Sequence, residues 1–411
     1  MKFYFWLILC SFFYLTAQGQ RICGTLSNLP SSGANPGIYL RELPPNAPPR
    51  DTSANEIITI PVVVHVIFNN SVQLISDARV KAQIDALNRD FRMMNADRAW
   101  IPDAFKSRAA DARIMFCLAQ VDPEGRPTSG IVKRYTTAAP FKTADAMKFD
   151  ASGGSNAWDT RNYLNIWVCS LFGRILGFSS LPGADAATDG VVISHDVFGN
   201  GSGLRAHFDM GRTATHEIAH WLGLKHIWGD AECGDDGIAD TPPQLTYNYG
   251  CPTFPRMSTC TANADGEMFM NFMDLTNDAC MYMFTKGQVN KMRAQFALGG
   301  VRNSLLRSYR CDSSFASGAP LPQDTLPKAI KPVSITVYPN PARNEVNIRY
   351  SATQHTQGRK AILYAASGIP LASFALKGST AFINVSALPS GVYVLKVETD
   401  TGIISTKLIK Q

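Results

Sequence analysis

Long hydrophobic runs, basic runs and histidines are all scarce in this chain of 411 residues. After the N-terminal segment, no stretch keeps the roughly 18 apolar residues that a membrane-spanning helix needs, so we expect no transmembrane segment. Lys and Arg outnumber Asp and Glu by 39 to 33, for a net charge of +6. These residues form no basic run, and we predict no nucleic-acid partner. Only 7 residues are histidine, so any cluster of them is informative.

Three of these histidines lie within one short segment, in the pattern H-E-x-x-H-x-x-G-x-x-H. His216 and His220 are four residues apart, so on an α-helix they share one face and can bind the same metal ion. Gly223 readily adopts the left-handed conformation that ends a helix. A chain that turns there can bring His226 back as a third ligand. The pattern predicts a catalytic zinc site whose fourth position is open to water.

Glu217 follows the first of these ligands and can reach the water without occupying the metal. Zinc lowers the pKa of a bound water to ~7. Glu217 would act as general base and then as proton donor to the leaving amine. The alternative is an amphipathic helix with chance histidines, and the added Gly223 and His226 argue against it. A structural zinc is also disfavoured, because such sites are usually closed by four protein ligands and rich in cysteine.

The N-terminus has the form of a secretory signal peptide. Lys2 provides a positive charge, residues 3–15 are largely apolar, and AQG at 17–19 fits a small-x-small cleavage site. We therefore assign residues 1–19 to a signal peptide. Residues 20–54 contain six prolines and little periodicity, which indicates an extended pro-segment. Export also makes disulfide bonds permissible.

Eight cysteines remain after the signal peptide. Four of them follow the histidine motif: Cys233, Cys251, Cys260 and Cys280. That segment is rich in Gly, Pro, Asp and Asn, and a long loop region without its own core is where cross-links help most. Four cysteines permit three pairings, and their positions do not choose among them. Cys117 and Cys169 lie in strand-like runs, where we expect small buried hydrophobes, and Cys311 has no assignment.

Apolar periodicity predicts a mixed α/β arrangement in which strands precede the histidine-bearing helix. The predicted strands are 57–68, 113–121, 163–171 and 190–194, and the predicted helices are 76–94, 213–224 and 285–296. Ser, Ala, Gly, Pro and Lys dominate residues 312–332, which indicates a linker. Short alternating runs between turn signals then predict a small β-sandwich over residues 333–411.

The segment around the histidine motif resembles the metzincin zinc metalloproteases, and among them the pappalysin group, peptidase family M43. The matching stretches are HEIAHWLGLKHIWGD at 216–230, CGDDGIADTPP at 233–243, MFMNFMD at 268–274, NDAC at 277–280 and LNIWVCSL at 164–171. The resemblance covers residues 55–311 and implies that they form an α/β (α+β) protease domain with a long, loop-rich C-terminal subdomain. It also implies a secreted zinc metalloendopeptidase that is made as a latent zymogen and acts on proteins and peptides.

The resemblance assigns roles to individual residues. His216, His220 and His226 match the zinc ligands of the family, and Glu217 matches its catalytic glutamate. Met273 matches the methionine of the Met-turn, which forms an apolar floor under the metal. A plain core methionine is the alternative for Met273, and the two interpretations nearly coincide because the family role is itself structural.

The resemblance has two further implications for the loop-rich segment. The disulfide pattern of the family would give the bonds Cys233–Cys260 and Cys251–Cys280. Structural calcium is typical of the group, and Asp235, Asp236, Asp240 and Thr241 offer the oxygen ligands that a hard cation prefers. We take Asp236 and Thr241 as the predicted calcium ligands, with a solvated acidic turn as the alternative.

The chain departs from the family pattern just after the Met-turn. Relatives commonly have a tyrosine two residues after the methionine, where it helps to stabilise the oxyanion, but this chain has Leu275. Leu275 cannot donate a hydrogen bond, and losing such a donor can lower the rate ~10²-fold or more. Either another donor substitutes, with Tyr282 as a candidate, or the zinc does more of the polarising.

Two more residues receive roles from resemblance. Cys23, within RICGT at 21–25, resembles the cysteine switch of zinc protease zymogens, in which a thiolate ligates the zinc and displaces the water. A free or disulfide-bonded cysteine is the alternative. The resemblance also implies a preference for a basic residue just after the scissile bond. Asp278 is the candidate acidic residue of that specificity pocket, and a solvated surface aspartate is the alternative.

The C-terminal segment resembles the type IX secretion sorting domain of Bacteroidetes. The matching pieces are YPNP at 338–341, PSGVYV at 389–394 and KLIKQ at 407–411. The resemblance implies an Ig-like sandwich that engages the type IX machinery, directs export through the periplasm and outer membrane, and is usually removed. A carbohydrate-binding or adhesin-type β module is the alternative.

For the whole chain, we expect a monomeric secreted protease, free or retained at the cell surface. Two other functions stay open on the residues alone. One is a surface adhesin or binding module that keeps a metal-site scaffold, although the intact Glu217 disfavours it. The other is a peptidase limited to small peptides.

Overall fold

The computed structural model describes residues 21–25, 56–142, 144–260, 265–317, 335–350, 359–366, 369–376, 380–399 and 402–411. The predicted signal peptide, most of the pro-segment and most of the linker therefore lie outside the described residues. Within the described ranges, no helix is long and apolar enough to cross a bilayer.

Among the described residues, a six-stranded sheet forms the centre of the protease domain, in the order β2-β1-β4-β6-β5 with β3 also paired to β1. The strands are β1 Ile58–Phe68, β2 Ile114–Leu118, β3 Ile131–Tyr135, β4 Leu164–Cys169, β5 Gly177–Ser179 and β6 Val191–Ser194. The long β1 pairs in parallel with β2 along one half and with β3 along the other. Strands β4 and β6 continue the parallel sheet, and β5 lies antiparallel to β6 at the edge.

Strand β1 is a β-branched run that is buried on both faces, as a central parallel strand must be. Val62, Val64 and Val66 pack into the main core. Val63 and Ile67 point to the other face and join smaller apolar clusters there. The alternation of side chains along a strand therefore places core on both sides of the sheet.

The α-helices of the described chain are α1 Asp77–Phe91, α2 Asp103–Lys106, α3 Arg212–Trp221 and α4 Lys286–Ala294. Helix α1 begins after Ser76, whose hydroxyl accepts the N–H of Arg79 at 3.2 Å. Helix α4 begins with a capping box between Thr285 and Gln288. Buried residues of α1 and α3 belong to the same core, so these two helices cover one face of the sheet.

Three disulfide bonds join described cysteines: Cys117–Cys311, Cys233–Cys260 and Cys251–Cys280. The last two have the pairing that the resemblance implied. The prediction for Cys117 is wrong, because this residue is bonded to Cys311 and is not a lone buried hydrophobe. The two partners are 194 residues apart, so no local pattern connects them. Their bond ties β2 to the end of the protease domain. Cys169 is buried and free, as predicted.

The described C-terminal strands form two antiparallel sheets, in the orders β10-β9-β12-β13 and β11-β8-β7. The strands are β7 Ile335–Tyr338, β8 Glu345–Tyr350, β9 Arg359–Ala365, β10 Pro370–Leu376, β11 Thr380–Asn384, β12 Gly391–Thr399 and β13 Gly402–Lys410. Ile348 and Ile383 of one sheet share a single buried cluster with Leu363, Leu395 and Leu408 of the other. The predicted all-β character is therefore confirmed, and the two sheets pack around a common core.

Candidate active site

Helix α3 carries the first part of the histidine motif and is buried along its whole length. It begins after Gly211, at φ 83°, and the chain turns shortly after its end at Gly223, at φ 91°. L side chains rarely adopt such angles, whereas glycine does so at little cost. A Cβ on Gly223 would also lie 2.9 Å from Nε2 of Gln295. The tight turn at Gly223 therefore requires glycine, as its place in the motif predicts.

The three histidines of the motif converge on one point. Nε2 of His220 lies 3.1 Å from Nε2 of His216 and 3.1 Å from Nε2 of His226. Burial lowers the pKa of His216 and of His220 well below the ordinary value. Neutral imidazoles present lone pairs, and lone pairs this close to one another need a cation between them.

The other nitrogen of each ring is held by a hydrogen bond. Nδ1 of His216 lies 2.7 Å from the carbonyl oxygen of Phe272, and Nδ1 of His220 lies 2.9 Å from the carbonyl oxygen of Leu224. Nδ1 of His226 lies 2.6 Å from the carboxylate of Asp230. A ring that donates from Nδ1 keeps its lone pair on Nε2, the nitrogen that faces the convergence point. Trp228 stacks on the His226 ring, with centroids 4.3 Å apart and planes 7° apart, which fixes the ring plane as well.

Cys23 contributes a fourth potential ligand. Its Sγ lies 3.7 Å from Nε2 of His220, and the four ligand atoms all lie within 4.8 Å of one another. Three imidazole nitrogens and one sulfur match the tetrahedral donor set that zinc prefers, so the residues present fit a zinc ion. Burial raises the pKa of the Cys23 thiol well above its usual value. A thiolate at this place therefore needs the charge of a metal to be stable.

Glu217 lies beside this group and is almost completely buried. Its Oε2 accepts a hydrogen bond from Oγ1 of Thr25 at 2.9 Å. Burial raises the pKa of Glu217 to about 7, which suits a group that takes up and returns a proton near neutral pH. Strand β5 packs directly on this side chain, since a Cβ on Gly177 would lie 3.0 Å from Cγ of Glu217.

Residues 21–25, which lie in the predicted pro-segment, run along β5 in parallel orientation. The N–H of Gly24 donates to the carbonyl of Gly177 at 2.9 Å, and the N–H of Leu176 donates to the carbonyl of Ile22 at 3.0 Å. Backbone pairing of this kind is how an extended peptide adds to the edge of a sheet. The edge of β5 is therefore able to bind a peptide beside the histidines.

Arg21 fills a buried pocket next to the convergence point. Its Nη2 is paired with the Asp278 carboxylate, and both side chains are buried. Its Nε donates to the carbonyl of Thr276 at 3.2 Å, and its Nη1 donates to Oγ1 of Thr213 at 3.3 Å. The guanidinium also lies 5.2 Å from the ring centroid of Phe208. The structure thus places Asp278 at a buried cation pocket, not on a solvated surface.

The start of α3 holds the Asp278 side chain in place. Oδ2 of Asp278 accepts the N–H of Met210 at 2.9 Å and the N–H of Arg212 at 3.2 Å. Arg212 also donates to the backbone carbonyl of Asp278 at 2.6 Å and pairs with Asp97 at 2.5 and 2.9 Å. Oδ1 is consequently the oxygen that faces Arg21.

Met273 is completely buried in the loop that precedes α4. Phe272, just before it, accepts the hydrogen bond from His216, and the carbonyl of Met273 accepts the N–H of Ile227 at 3.4 Å. This turn therefore contacts both the helix of the first ligand and the segment of the third. Leu275 is buried and has no polar atom in its side chain.

The acidic loop contains one carboxylate oxygen without a partner. Oδ1 of Asp236 accepts the hydroxyl of Thr241 at 2.7 Å, whereas its Oδ2 is buried with no hydrogen bond among the described residues. Burial raises the pKa of Asp236 to about 6. Asp240 instead accepts the hydroxyl of Thr285 at 2.7 Å, so it stabilises the start of α4. The structure thus separates Asp236 and Asp240, which the sequence treats as equivalent.

Arg21, Thr25 and Asp230 contact the predicted site residues and were not themselves predicted. Arg21 and Thr25 are the near neighbours of Cys23 in RICGT, so their closeness in sequence to the predicted cysteine switch was the available signal. Asp230 lies four residues after His226, where only its contact with Nδ1 shows a role.

Known proteins match both parts of the chain. Residues 150–297 match the family described as pregnancy-associated plasma protein-A, peptidase family M43, and residues 336–411 match the secretion system C-terminal sorting domain.

The extracellular metalloprotease of Trichophyton verrucosum is 27% identical over 292 residues, which cover 67% of this chain and 90% of that protein. Mature mirolysin of Tannerella forsythia, solved with a cleaved peptide, is 50% identical. That alignment covers 61% of this chain and 96% of mirolysin, with a TM-score of 0.60. A promirolysin mutant of the same organism is 47% identical. That alignment covers 65% of this chain and 89% of the promirolysin chain, with a TM-score of 0.61.

The fold and the site define a zinc-dependent metalloprotease. More narrowly, the chain belongs to the pappalysin family, peptidase family M43. Its C-terminal sorting domain marks it for export by a type IX secretion system, and it is a secreted enzyme. The predictions of family, enzyme class and secretion are confirmed.

Proposed function

We propose that this enzyme hydrolyses peptide bonds with Glu217 as general base and then as general acid. Bound by His216, His220 and His226, zinc would supply an activated water and polarise the substrate carbonyl. Glu217 would take a proton from the attacking water as the carbon–oxygen bond forms. It would return that proton to the leaving amine as the carbon–nitrogen bond breaks. The observation that carries this proposal is the buried carboxylate of Glu217 beside three converging imidazoles.

Glu217→Ala tests the proposal. In the mature form, we expect the variant to fold and to keep its bound zinc, because Glu217 is not a ligand. Its cleavage of casein or gelatin should fall about 10²- to 10⁴-fold, the usual contribution of a general base. Glu124→Ala is a matched control, since that side chain is 61% exposed. Retained proteolysis in Glu217→Ala would contradict the mechanism.

Latency of the precursor would follow from two contacts of residues 21–25. The Cys23 thiolate can take the fourth ligand position and exclude the catalytic water. Arg21 closes the neighbouring pocket through its buried ion pair with Asp278. Both side chains occupy space that a substrate requires, so the precursor would need to lose this segment before it can cleave proteins.

The pocket that holds Arg21 supports a preference for a basic residue immediately after the scissile bond. It offers a carboxylate, a carbonyl and a hydroxyl to different nitrogens of one guanidinium. The planar fork of arginine presents these donors in fixed directions, whereas lysine has a single ammonium group on a flexible stem. We therefore propose that arginine is preferred over lysine at this position.

A structural calcium near Asp236 and Thr241 is the second metal that we propose. Asp236 Oδ2 is buried and without a hydrogen bond among the described residues, and a buried carboxylate oxygen of this kind needs a partner. Carboxylate, hydroxyl and backbone oxygens are the donors that calcium binds. The acidic loop therefore fits a calcium ion better than a solvated turn.

We also propose the division of the chain into functional parts. Residues 1–19 would be the signal peptide, 20–54 the pro-segment, 55–311 the catalytic domain, 312–332 the linker and 333–411 the sorting domain. The match of residues 336–411 to the sorting-domain family supports the last assignment. The shared core of the two C-terminal sheets supports an Ig-like sandwich.

A further inference from the structure

Two exposed tyrosines flank a buried asparagine in the loop-rich segment after the histidine motif. Tyr247 is 36% exposed and Tyr249 is 60% exposed, whereas Asn248 between them is buried. The N–H of Asn248 donates to Oδ1 of Asp274 at 2.7 Å, and its side-chain amide donates to Asp274 and to Glu267, each at 3.0 Å. These buried bonds fix the backbone between the two rings. Tyr247 and Tyr249, the tyrosine pair, are therefore held at the surface by the core beneath them.

A row of aromatic rings connects the tyrosine pair to His226. Trp228 stacks on the His226 ring, and the Tyr247 centroid lies 5.8 Å from that of Trp228, with planes 63° apart. The Tyr249 centroid lies 6.0 Å from that of Tyr247. Tyr247 is thus within roughly 10 Å of His226, the length of about three extended residues. A peptide that is cleaved at the histidines therefore carries side chains within reach of the pair.

The loop of the tyrosine pair is also joined to the Asp278 pocket. The N–H of Asn277 donates to the carbonyl of Gly250 at 2.9 Å, and Cys251 is bonded to Cys280. Asp278 lies between these two connections. The pair consequently belongs to the rim of the cleft that contains the Asp278 pocket and the three histidines, and its backbone is in place before any substrate binds.

Packing within the protein accounts for only part of this arrangement. Tyr247 covers one side of Trp228, but the ring of Tyr249 meets no described aromatic ring other than that of Tyr247. Neither tyrosine belongs to an apolar core cluster of the described chain. Adjacent exposed rings beside a cleft are typical of a binding surface, because tyrosine supplies a large contact area at a small loss of conformational entropy.

We propose that the tyrosine pair is a specificity-determining surface that binds an aromatic side chain of the substrate, within about three residues of the scissile bond and outside the Asp278 pocket. This inference rests on the proposed function. The planes of the two rings are 43° apart, so a third ring can stack in an offset position on one of them and meet the other edge to face. The preferred substrates then have arginine after the scissile bond and an aromatic residue nearby.

A phenylalanine scan of a substrate peptide tests the tyrosine pair. The parent peptide has arginine after the scissile bond and alanine at the neighbouring positions on both sides, and each alanine in turn is replaced by phenylalanine. In the wild-type mature enzyme, phenylalanine at one position or at two adjacent ones should raise kcat/KM about 2- to 12-fold over alanine, the usual contribution of an aromatic pair. The gain should lie in KM, since stacking holds the substrate and its transition state alike. An equal gain with cyclohexylalanine would overturn the aromatic assignment.

Four variants locate the gain. Tyr247→Ala and Tyr249→Ala should abolish it, whereas Tyr249→Phe should keep it because the ring remains. Tyr135→Ala is a matched control, since that tyrosine is 43% exposed at the end of β3, away from β5 and the site. The gain is a ratio between two peptides for one variant, so a partial loss of zinc or of folded enzyme cancels. A gain that survives in both alanine variants of the pair would overturn the inference.

The parent peptide keeps this inference separate from the proposed function. The wild-type mature enzyme should cleave it at the bond before arginine and lose that activity with 1,10-phenanthroline. If it does not, the proposed function fails. If it does, but no phenylalanine position is preferred or the preference survives in both alanine variants, this inference alone fails.

Discussion

Asp278→Asn should change which substrate the enzyme selects far more than how it catalyses. Asparagine keeps a carbonyl oxygen that can accept the N–H groups of Met210 and Arg212 at the start of α3. It removes the negative charge that pairs with the Arg21 guanidinium. A hydrogen bond to a charged group contributes ~1.5–3 kcal/mol. We therefore expect kcat/KM for an arginine-containing substrate to fall about 10- to 150-fold.

The assay compares two quenched fluorescent peptides that differ only after the scissile bond, with arginine in one and citrulline in the other. Citrulline has nearly the shape of arginine but no charge. In the wild-type mature enzyme the arginine peptide should be preferred, and in Asp278→Asn this preference should nearly vanish while the citrulline rate changes little. Asp103→Asn, whose side chain is 92% exposed, controls for the loss of a carboxylate.

Two outcomes would refute this reasoning. An unchanged preference would show that substrate side chains do not reach Asp278. Equal losses for both peptides would show that Asp278 acts only by holding the start of α3, and a lowered melting temperature would accompany that result.

Three further perturbations test other parts of the molecule. Cys23→Ala should raise casein cleavage by the precursor at least about tenfold, because no thiolate then competes with water for zinc. Unchanged latency of that variant would contradict the cysteine-switch role of Cys23. EGTA should lower the melting temperature of the wild type but hardly that of Asp236→Asn, and equal shifts would argue against calcium at Asp236. Burial lowers the pKa of His65 from 6.5 to about 4 in the folded protein. As pH falls, His65 is therefore protonated in the unfolded state before it is protonated in the folded state. Stability should therefore fall by about 3 kcal/mol as pH drops from 6.5 to 4. His65→Gln should flatten that part of a urea-unfolding profile, and an unchanged slope would exclude His65 as the cause.

Local patterns predicted the elements that depend on near neighbours in sequence. The β-branched run of β1 is a buried strand, and Ser76 and Thr285 cap helices α1 and α4. Apolar and capping residues act within a few positions of one another, so their spacing reflects the structure directly. The helix predicted over residues 76–94 is helix α1, which ends at Phe91, three residues earlier than predicted. Periodicity locates the ends of a helix less well than it locates the helix.

Contacts between distant segments could not be predicted from the residues in the same way. Cys117 meets Cys311 across 194 residues, and Arg21 meets Asp278 across 257 residues. Thr25 is likewise far in sequence from the carboxylate that it contacts. None of these pairs has a local signature, since each forms only after the sheet and α3 have brought the segments together.

The spacing of His216, His220 and His226 is enough to define the metal site, because the turn of an α-helix and the flexibility of Gly223 convert that spacing directly into geometry. The surroundings of those ligands depend on contacts between segments that are far apart in the chain. The edge of β5, the pro-segment strand and the loop of Asp278 are separate in the chain, and burial in one core makes them neighbours. It places the hydroxyl of Thr25 on Glu217 and the guanidinium of Arg21 on Asp278 because charged and polar groups removed from water must find partners.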